Sequence, residues 1–278
     1  MNPENTYIVI RKRNVGEVMN LAFRIVARHL AGILCAGVLA LPFCVLPWCV
    51  YYGVVMVRPE WAASLFNEFE YGEAWWGLLG IMALTVIVLE PLVTAPVTLL
   101  LGQLVFGGGA DWKRLRREFL ESLPQIFYYR YLWFFTTFRW AFCSEVILLE
   151  RNPWLASEDS GKRTTSQRCR DIYWRDYESI YRLFASYTWV AVLSVSVFAG
   201  IMMLHSVITG TAGGDGFMVM MCLFYLPWML WAGVFYQCVI RFLGYLDFRI
   251  RSEGWDIDLK IREECVKMDR GRVVEDEE

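Results

Sequence analysis

Long apolar runs separated by short charged stretches dominate the pattern of hydrophobic and polar positions along the chain. A helix needs about 20 consecutive apolar residues to cross a bilayer. Four runs reach this length, at residues 30–57, 75–106, 187–208 and 217–240. The pattern therefore predicts an all-α fold: one polytopic membrane domain over residues 1–278, an integral membrane helical bundle with four transmembrane helices.

Two of the predicted spans contain pairs of prolines, Pro42 and Pro47 in the first and Pro91 and Pro96 in the second. Proline removes a backbone hydrogen-bond donor and clashes with the preceding helical turn. Membrane helices tolerate it where neighbouring groups satisfy the freed carbonyls. We therefore expect kinked or locally opened helices at these positions.

A fifth apolar segment, residues 128–149, is strongly aromatic and carries Arg139 and Glu145. Lys and Arg concentrate on the cytoplasmic side of membrane proteins. The loops on both sides of this segment are basic, with four such residues in 107–127 and seven in 150–186. The segment must then cross twice or not at all, and it is too short for two helical crossings. This predicts a re-entrant or interfacial helix, and both termini in the cytoplasm.

Amphipathic stretches fill the predicted cytoplasmic parts of the chain. Asn14 and Glu17 have the spacing of a capping box, which predicts a helix from Val15 that lies on the membrane surface and leads into the first span. We expect two more amphipathic helices, at residues 111–121 and 171–185. We also expect a polar loop at residues 152–167 and a cytoplasmic tail at residues 241–278 that has a break at Gly254.

Composition narrows the classes of function. The chain is 56% hydrophobic and 20% charged, with a net charge of −2, which excludes a disordered or nucleic-acid-binding chain. Its eight cysteines form no C-x-x-C pair, and we interpret them as small buried hydrophobic side chains. The two histidines, His29 and His205, are far apart in sequence. We therefore expect neither a metal centre nor a cofactor.

Three stretches of the chain contain short motifs that occur together in a known family. The motifs are Gly16-Glu17, Glu150–Pro153 followed by Lys162-Arg163, and Tyr245–Gly254. Together they resemble a group of bacterial polytopic proteins related to the membrane domain of glycerophosphoryl diester phosphodiesterases, although Asn20 stands where that group commonly has Asp. The resemblance covers most of the chain and implies a stand-alone module of the bacterial inner membrane, with no catalytic residues to carry over.

Glu90 is the most pointed candidate for chemistry, because it lies near the middle of the second span. An ionisable group at this depth costs roughly 2.5–3.5 kcal/mol on insertion scales and is a functional hypothesis by default. With Thr94 and carbonyls freed by the prolines, it could bind a cation or a proton; alternatively it is protonated or paired and holds two spans together. Arg139 and Glu145 could pair with Glu90 or each other, hold lipid phosphate, or reach water by snorkelling.

Two further sets of residues point to contacts with lipid or with other helices. A dense basic cluster follows the second span, and such clusters attract anionic lipid headgroups, although the positive-inside rule alone also accounts for it. Small residues at every fourth position of the first span suit close helix packing, within the bundle or in a dimer. The basic cluster consists of Lys113, Arg114, Arg116 and Arg117, and the small residues are Gly32, Ala36 and Ala40.

Three functions are compatible with these features. The favoured one is a non-enzymatic scaffold or accessory subunit, whose cytoplasmic collar binds partner proteins or anionic lipid headgroups and which forms a homo-oligomer or joins a membrane complex. The alternative is a small-solute, ion or lipid transporter that uses Glu90. The third is a metal-dependent lipid-modifying enzyme that uses Asp256 and Asp258, which are more simply interpreted as members of a salt-paired tail.

Overall fold

The computed structural model of the protein describes residues 14–57, 71–106, 109–132, 142–153, 163–175, 177–209 and 215–253. These parts of the chain are predominantly helical and contain no β-strand. Four helices are long and apolar enough to cross a membrane, and the apolar segments are Val15–Leu39, Leu84–Val105, Leu183–Ile208 and Trp228–Ile250. The predicted all-α membrane bundle with four spans is confirmed.

The helices are numbered in chain order, and two short π-helices are named separately as π1 and π2. The first part of the chain contains α1 (Val15–Leu39), α2 (Leu41–Val57), α3 (Tyr71–Phe106) and α4 (Trp112–Phe127). The central part contains π1 (Tyr128–Leu132), α5 (Cys143–Glu145) and π2 (Val146–Glu150). The last part contains α6 (Thr165–Arg175), α7 (Tyr177–Thr209) and α8 (Asp215–Glu253).

The start of α1 agrees with the predicted N-cap. The helix begins directly after Asn14, whose carbonyl accepts a hydrogen bond from the Val18 N–H at 3.0 Å. The helix deviates from helical geometry at His29, where φ is −114° and ψ is 22°. The chain leaves α1 at Ala40 and enters α2, in which Pro42 is the second residue. A missing N–H costs little there, because first-turn N–H groups have no partner within the helix.

The prolines of α3 do not end the helix. This helix continues through Pro91 and Pro96, neither of which supplies a backbone N–H. Every residue from 91 to 102 is buried, and this packing accounts for a helix that persists although each proline removes one backbone hydrogen bond.

The boundary between α6 and the preceding loop also differs from the expectation. Residues 165–167, which were expected in a polar loop, form the first turn of α6. The Thr164 hydroxyl accepts from the Gln167 N–H at 3.3 Å, and the Gln167 amide oxygen accepts from the Thr164 N–H at 3.1 Å. This reciprocal pair is a capping box. The predicted amphipathic helix at 171–185 is helical in its described residues, which belong to α6 up to Arg175 and to α7 from Tyr177.

The helices divide into two compact units. Unit 1 comprises Met1–Ile25, Thr98–Leu183 and Val239–Glu278, and unit 2 comprises Val26–Val97 and Phe184–Cys238. Of the 27 basic residues, all but Arg28 and Arg58 belong to unit 1.

Unit 2 exposes apolar side chains on several helices, among them Leu34 on α1, Ile87 on α3 and Val195 on α7. In a protein with four apolar helices of membrane-spanning length, such a surface suits contact with lipid chains.

The fourth span does not end where the hydropathy falls. Helix α8 continues through residue 240 to Glu253, and Arg241, Phe242, Tyr245 and Phe248 are buried in unit 1. The expected cytoplasmic tail therefore begins as a buried helix. From the sequence alone these charged residues look solvent-exposed, because their partners lie far away along the chain.

The aromatic segment at 128–149 is described at both of its ends. Helix α4 continues directly into π1, and residues 142–148 are buried. The Arg130 Nη2 donates to the Ser144 Oγ at 3.1 Å, whereas fourteen residues of straight helix would separate these positions by about 21 Å. Arg130 and Ser144 are therefore too close together for one straight helix to join them.

Candidate functional site

A largely buried carboxylate, Glu150, whose side chain is 11% exposed, connects three separate parts of unit 1. The Arg168 guanidinium donates to both of its oxygens at 2.9–3.0 Å, and the Asn152 amide donates at 2.9 Å. The Tyr245 hydroxyl also donates to Glu150, and the Arg249 Nε lies 3.8 Å from it. Two of the stretches on which the family resemblance rests, 150–153 and 245–254, therefore meet at this carboxylate.

The charge state of Glu150 follows from these contacts. Burial raises the pKa of its carboxyl, but hydrogen bonds from Arg168 and Tyr245 and the positive charge of Arg168 outweigh burial, so the pKa lies below the ordinary value. Glu150 is consequently ionised. Because its oxygens are occupied by side chains of the protein itself, its role is structural.

The turn after Glu150 is held by α4 and α6. The Gln125 amide donates to the Asn152 carbonyl at 3.0 Å and to the Thr165 hydroxyl at 2.8 Å. The Thr165 hydroxyl donates to the same carbonyl at 3.2 Å, and the Thr165 N–H donates to the Pro153 carbonyl at 3.2 Å. These contacts fix the backbone at 150–153 on two neighbouring helices.

A second ion pair is completely buried in unit 1. The Arg241 Nε donates to the Glu145 Oε1, and the side chains are 1% and 0% exposed. No group in the described parts of the chain bonds the Glu145 Oε2. The expectation that Glu145 reaches water by snorkelling is wrong, because Arg241 holds it in the interior. Arg139, its other predicted neighbour, lies outside the described residues.

Helix α4 has one buried face and one outward face. Asp111 caps it by accepting from the N–H groups of Lys113 and Arg114 at 3.0 and 3.1 Å. The helix buries Leu115, Phe119 and Ile126. Its exposed side begins with basic residues and continues with apolar ones and one acidic residue: Lys113, Arg116 and Arg117, then Leu120, Glu121, Pro124 and Phe127. The Arg117 Nε lies 3.8 Å from the Glu121 Oε1.

The apolar end of this outward face is substantial. The side chains of Leu120 and Phe127 are 56% and 55% exposed. The Phe127 ring stacks on Tyr131 of π1, with ring centroids 4.9 Å apart. A helix with basic side chains beside exposed apolar ones is typical of a membrane surface, and this combination continues into the aromatic segment.

The fourth member of the predicted basic cluster, Arg114, has a different role. Its Nε donates to the Glu118 Oε1 at 2.6 Å, and Arg151 contacts the same oxygen. Burial raises the pKa of Glu118, but the hydrogen bonds from both arginines lower it by more than burial raises it. The pKa of Glu118 therefore lies below the ordinary value. Arg151 adopts the left-handed conformation, with φ at 51°.

Unit 2 contains Glu90 and Thr94 on α3. Glu90 is partly buried, and the fully buried Thr94 hydroxyl donates to the Glu90 carbonyl at 2.9 Å. The Cys238 thiol donates to the Thr94 carbonyl at 3.7 Å. A buried hydrogen bond of 2.9 Å between Gln237 and Ser186 was not anticipated. The isolated glutamine in an apolar run is the sequence signal for it.

The small residues of the first span pack in unit 2. Ala36 and Ala40 are fully buried, whereas Gly32 is partly exposed. Among the described glycines of α1 and α2, Gly37 lies closest to a neighbouring helix, because an added Cβ there would lie 3.2 Å from the Phe235 ring.

Metal binding has no support in the part of the chain that the structure describes. No group of three or more His, Cys, Asp or Glu residues there could hold a metal ion. Asp256 and Asp258 lie outside that part.

Comparison with known proteins yields no family model, curated protein or solved structure that matches this chain. The fold and its apolar helices nevertheless define a class, that of multi-pass α-helical membrane proteins.

Proposed function

We propose that the protein is a non-enzymatic scaffold or accessory subunit of the bacterial inner membrane, and that unit 1 forms a cytoplasmic collar which binds anionic phospholipid headgroups. The outward face of α4 carries this proposal. Lys113, Arg116 and Arg117 are exposed there, and Leu120 and Phe127 follow on the same side of the helix.

The charges on this face set the expected strength of lipid binding. Each basic residue near an anionic membrane surface contributes about 1 kcal/mol. Three of them, less the charge of Glu121 beside Arg117, therefore favour anionic over neutral lipid by about 30-fold. Leu120 and Phe127 add apolar area that can enter the boundary between headgroups and chains.

The orientation of the chain supports the same proposal. Arg130 and Ser144 are in contact although fourteen residues separate them, which is compatible with a segment that enters and leaves the membrane on one side. The basic residues concentrate in unit 1, as the positive-inside rule requires of cytoplasmic parts. An accessibility tag inserted within residues 155–165 should be reached from the cytoplasm; labelling from the other side would contradict this orientation.

The lipid contact is tested with the full chain in nanodiscs. Phosphatidylglycerol retained by the protein is counted by native mass spectrometry after exchange from neutral lipid. The triple variant Lys113→Gln, Arg116→Gln and Arg117→Gln should weaken retention by about 30-fold. The control is Arg163→Gln, which removes an exposed arginine paired with Asp171. Equal retention by native and triple-variant protein would refute the proposal.

A transporter is the second candidate function, because Glu90 is a partly buried carboxylate within an apolar helix. Glu90→Gln should then abolish pH- or ion-dependent flux in liposomes, and unchanged flux would exclude this function. We favour the lipid-binding scaffold, because the exposed basic and apolar side chains of α4 support it directly.

A further inference from the structure

Arg114 and Arg151 form an exposed pair of guanidinium groups around one carboxylate. The two side chains are 59% and 54% exposed, whereas that of Glu118 is 7% exposed. Both arginines bind the same oxygen, Glu118 Oε1, so their guanidinium groups are close neighbours. One carboxylate balances only one of the two positive charges, and the pair keeps an excess of positive charge at the surface.

The neighbouring carboxylates are bonded mainly to other groups. Glu150 precedes Arg151 in the chain, but Arg168, Tyr245 and Asn152 occupy its oxygens. Asp111 caps α4 by accepting from two backbone N–H groups, and its negative charge acts on Arg114 only through space.

The backbone at Arg151 places a second guanidinium on Glu118. Arg151 is the C-cap of π2 and adopts the left-handed conformation, with φ at 51°. A residue with a Cβ pays roughly 1–2 kcal/mol for this conformation, whereas glycine adopts it freely. Arg151→Gly therefore removes the guanidinium without straining the turn.

We propose that Arg114 and Arg151 bind a phosphate monoester between their exposed edges. Arginine binds phosphate through two parallel hydrogen bonds, and the three terminal oxygens of a monoester can serve two guanidinium groups together. This inference rests on the proposed lipid-facing role of α4 and names a headgroup class for it. The same chemistry is offered by phosphatidic acid in the bilayer and by free phosphate.

Full-length protein is titrated with inorganic phosphate in neutral nanodiscs by calorimetry, and the retention of phosphatidic acid is measured separately. Arg151→Gly, which suits the left-handed backbone, and Arg114→Gln should each weaken binding by about 10- to 100-fold. Arg163→Gln is the matched control, because Arg163 is 58% exposed and paired. Thermal melting of each variant confirms that it is folded.

Glu118→Gln separates a binding site from a purely structural ion pair. This substitution removes the competing charge but keeps an oxygen that accepts from both arginines, so it should strengthen binding by about fivefold. A response to phosphatidic acid alone assigns the site to lipid, and a response to both probes assigns it to phosphate from either source.

The inference is overturned if Arg151→Gly and Glu118→Gln change neither titration. Retention of phosphatidylglycerol that still depends on Lys113, Arg116 and Arg117 would then leave the proposed function intact. Loss of that dependence alone would instead refute the proposed function.

Discussion

Removal of one member of the buried pair Glu145–Arg241 should destabilise unit 1 far more than removal of both. Arg241→Met leaves the Glu145 carboxylate in an interior position where it is 0% exposed. The double variant Glu145→Leu with Arg241→Met replaces the pair with apolar side chains. Burial at both positions makes this contrast sharp, because water cannot compensate for the lost partner.

The size of the effect follows from the burial of both side chains. Breaking a buried ion pair by removing one partner costs about 3–5 kcal/mol, whereas replacing the pair with apolar groups is often neutral or stabilising. We expect Arg241→Met to lower the free energy of unfolding by about 3–5 kcal/mol and the double variant to recover most of this loss. The recovery gives a coupling energy of several kcal/mol, above the range of exposed pairs.

The free energy of unfolding is measured by circular dichroism as mixed micelles are titrated with sodium dodecyl sulfate. Arg163→Gln, at an exposed pair, serves as the control and should change stability by less than about 1 kcal/mol. A double variant that is as unstable as the sum of its single variants would refute the reasoning. So would an Arg241→Met variant that is as stable as the control.

Three further outcomes are expected. Because the pKa of Glu150 is lowered in the folded protein, this residue stabilises the fold above the ordinary glutamate pKa of about 4.3, and the stabilisation is lost as pH falls through the folded pKa. The melting temperature of Glu150→Gln should therefore vary less below about pH 4 than that of the native chain. Parallel profiles of melting temperature against pH would contradict this. Asp111→Ala should destabilise by about 1 kcal/mol and Asp111→Ser by less, since only serine can cap α4; equal melting temperatures would argue against the cap. Thr94→Val should cost about 0.5–1.5 kcal/mol for the lost hydrogen bond to Glu90, and α3 should remain helical by circular dichroism; loss of helix content would show that the hydroxyl maintains α3.

The number of spans could be predicted from the sequence because run length and hydropathy are local properties. The start of α1 was likewise readable from Asn14. The continuation of α8 was not, since Arg241 pairs with Glu145, 96 residues away. A charged residue that follows an apolar run resembles a surface unless its distant partner is known.

The candidate site was predictable to a similar extent. The exposure of Lys113, Arg116 and Arg117 follows from helical periodicity and local charge density. The role of Arg114 does not, because Arg151 reaches Glu118 from a different part of the chain. The capping box at Thr164 and Gln167 was within reach of sequence reasoning.

The composition of unit 1 has a consequence for biosynthesis. Glu145 and Glu150 leave the ribosome well before Arg241 and Tyr245 are made, at separations of 96 and 95 residues. At about 5–20 residues per second, translation delays these partners by roughly 5–20 s. During this interval the nascent chain holds carboxylates whose α8 partners are not yet synthesised. Residues 241–253 of α8 are therefore needed to complete unit 1, and a chain that is stalled before residue 241 would lack the partners of Glu145 and Glu150 on this helix.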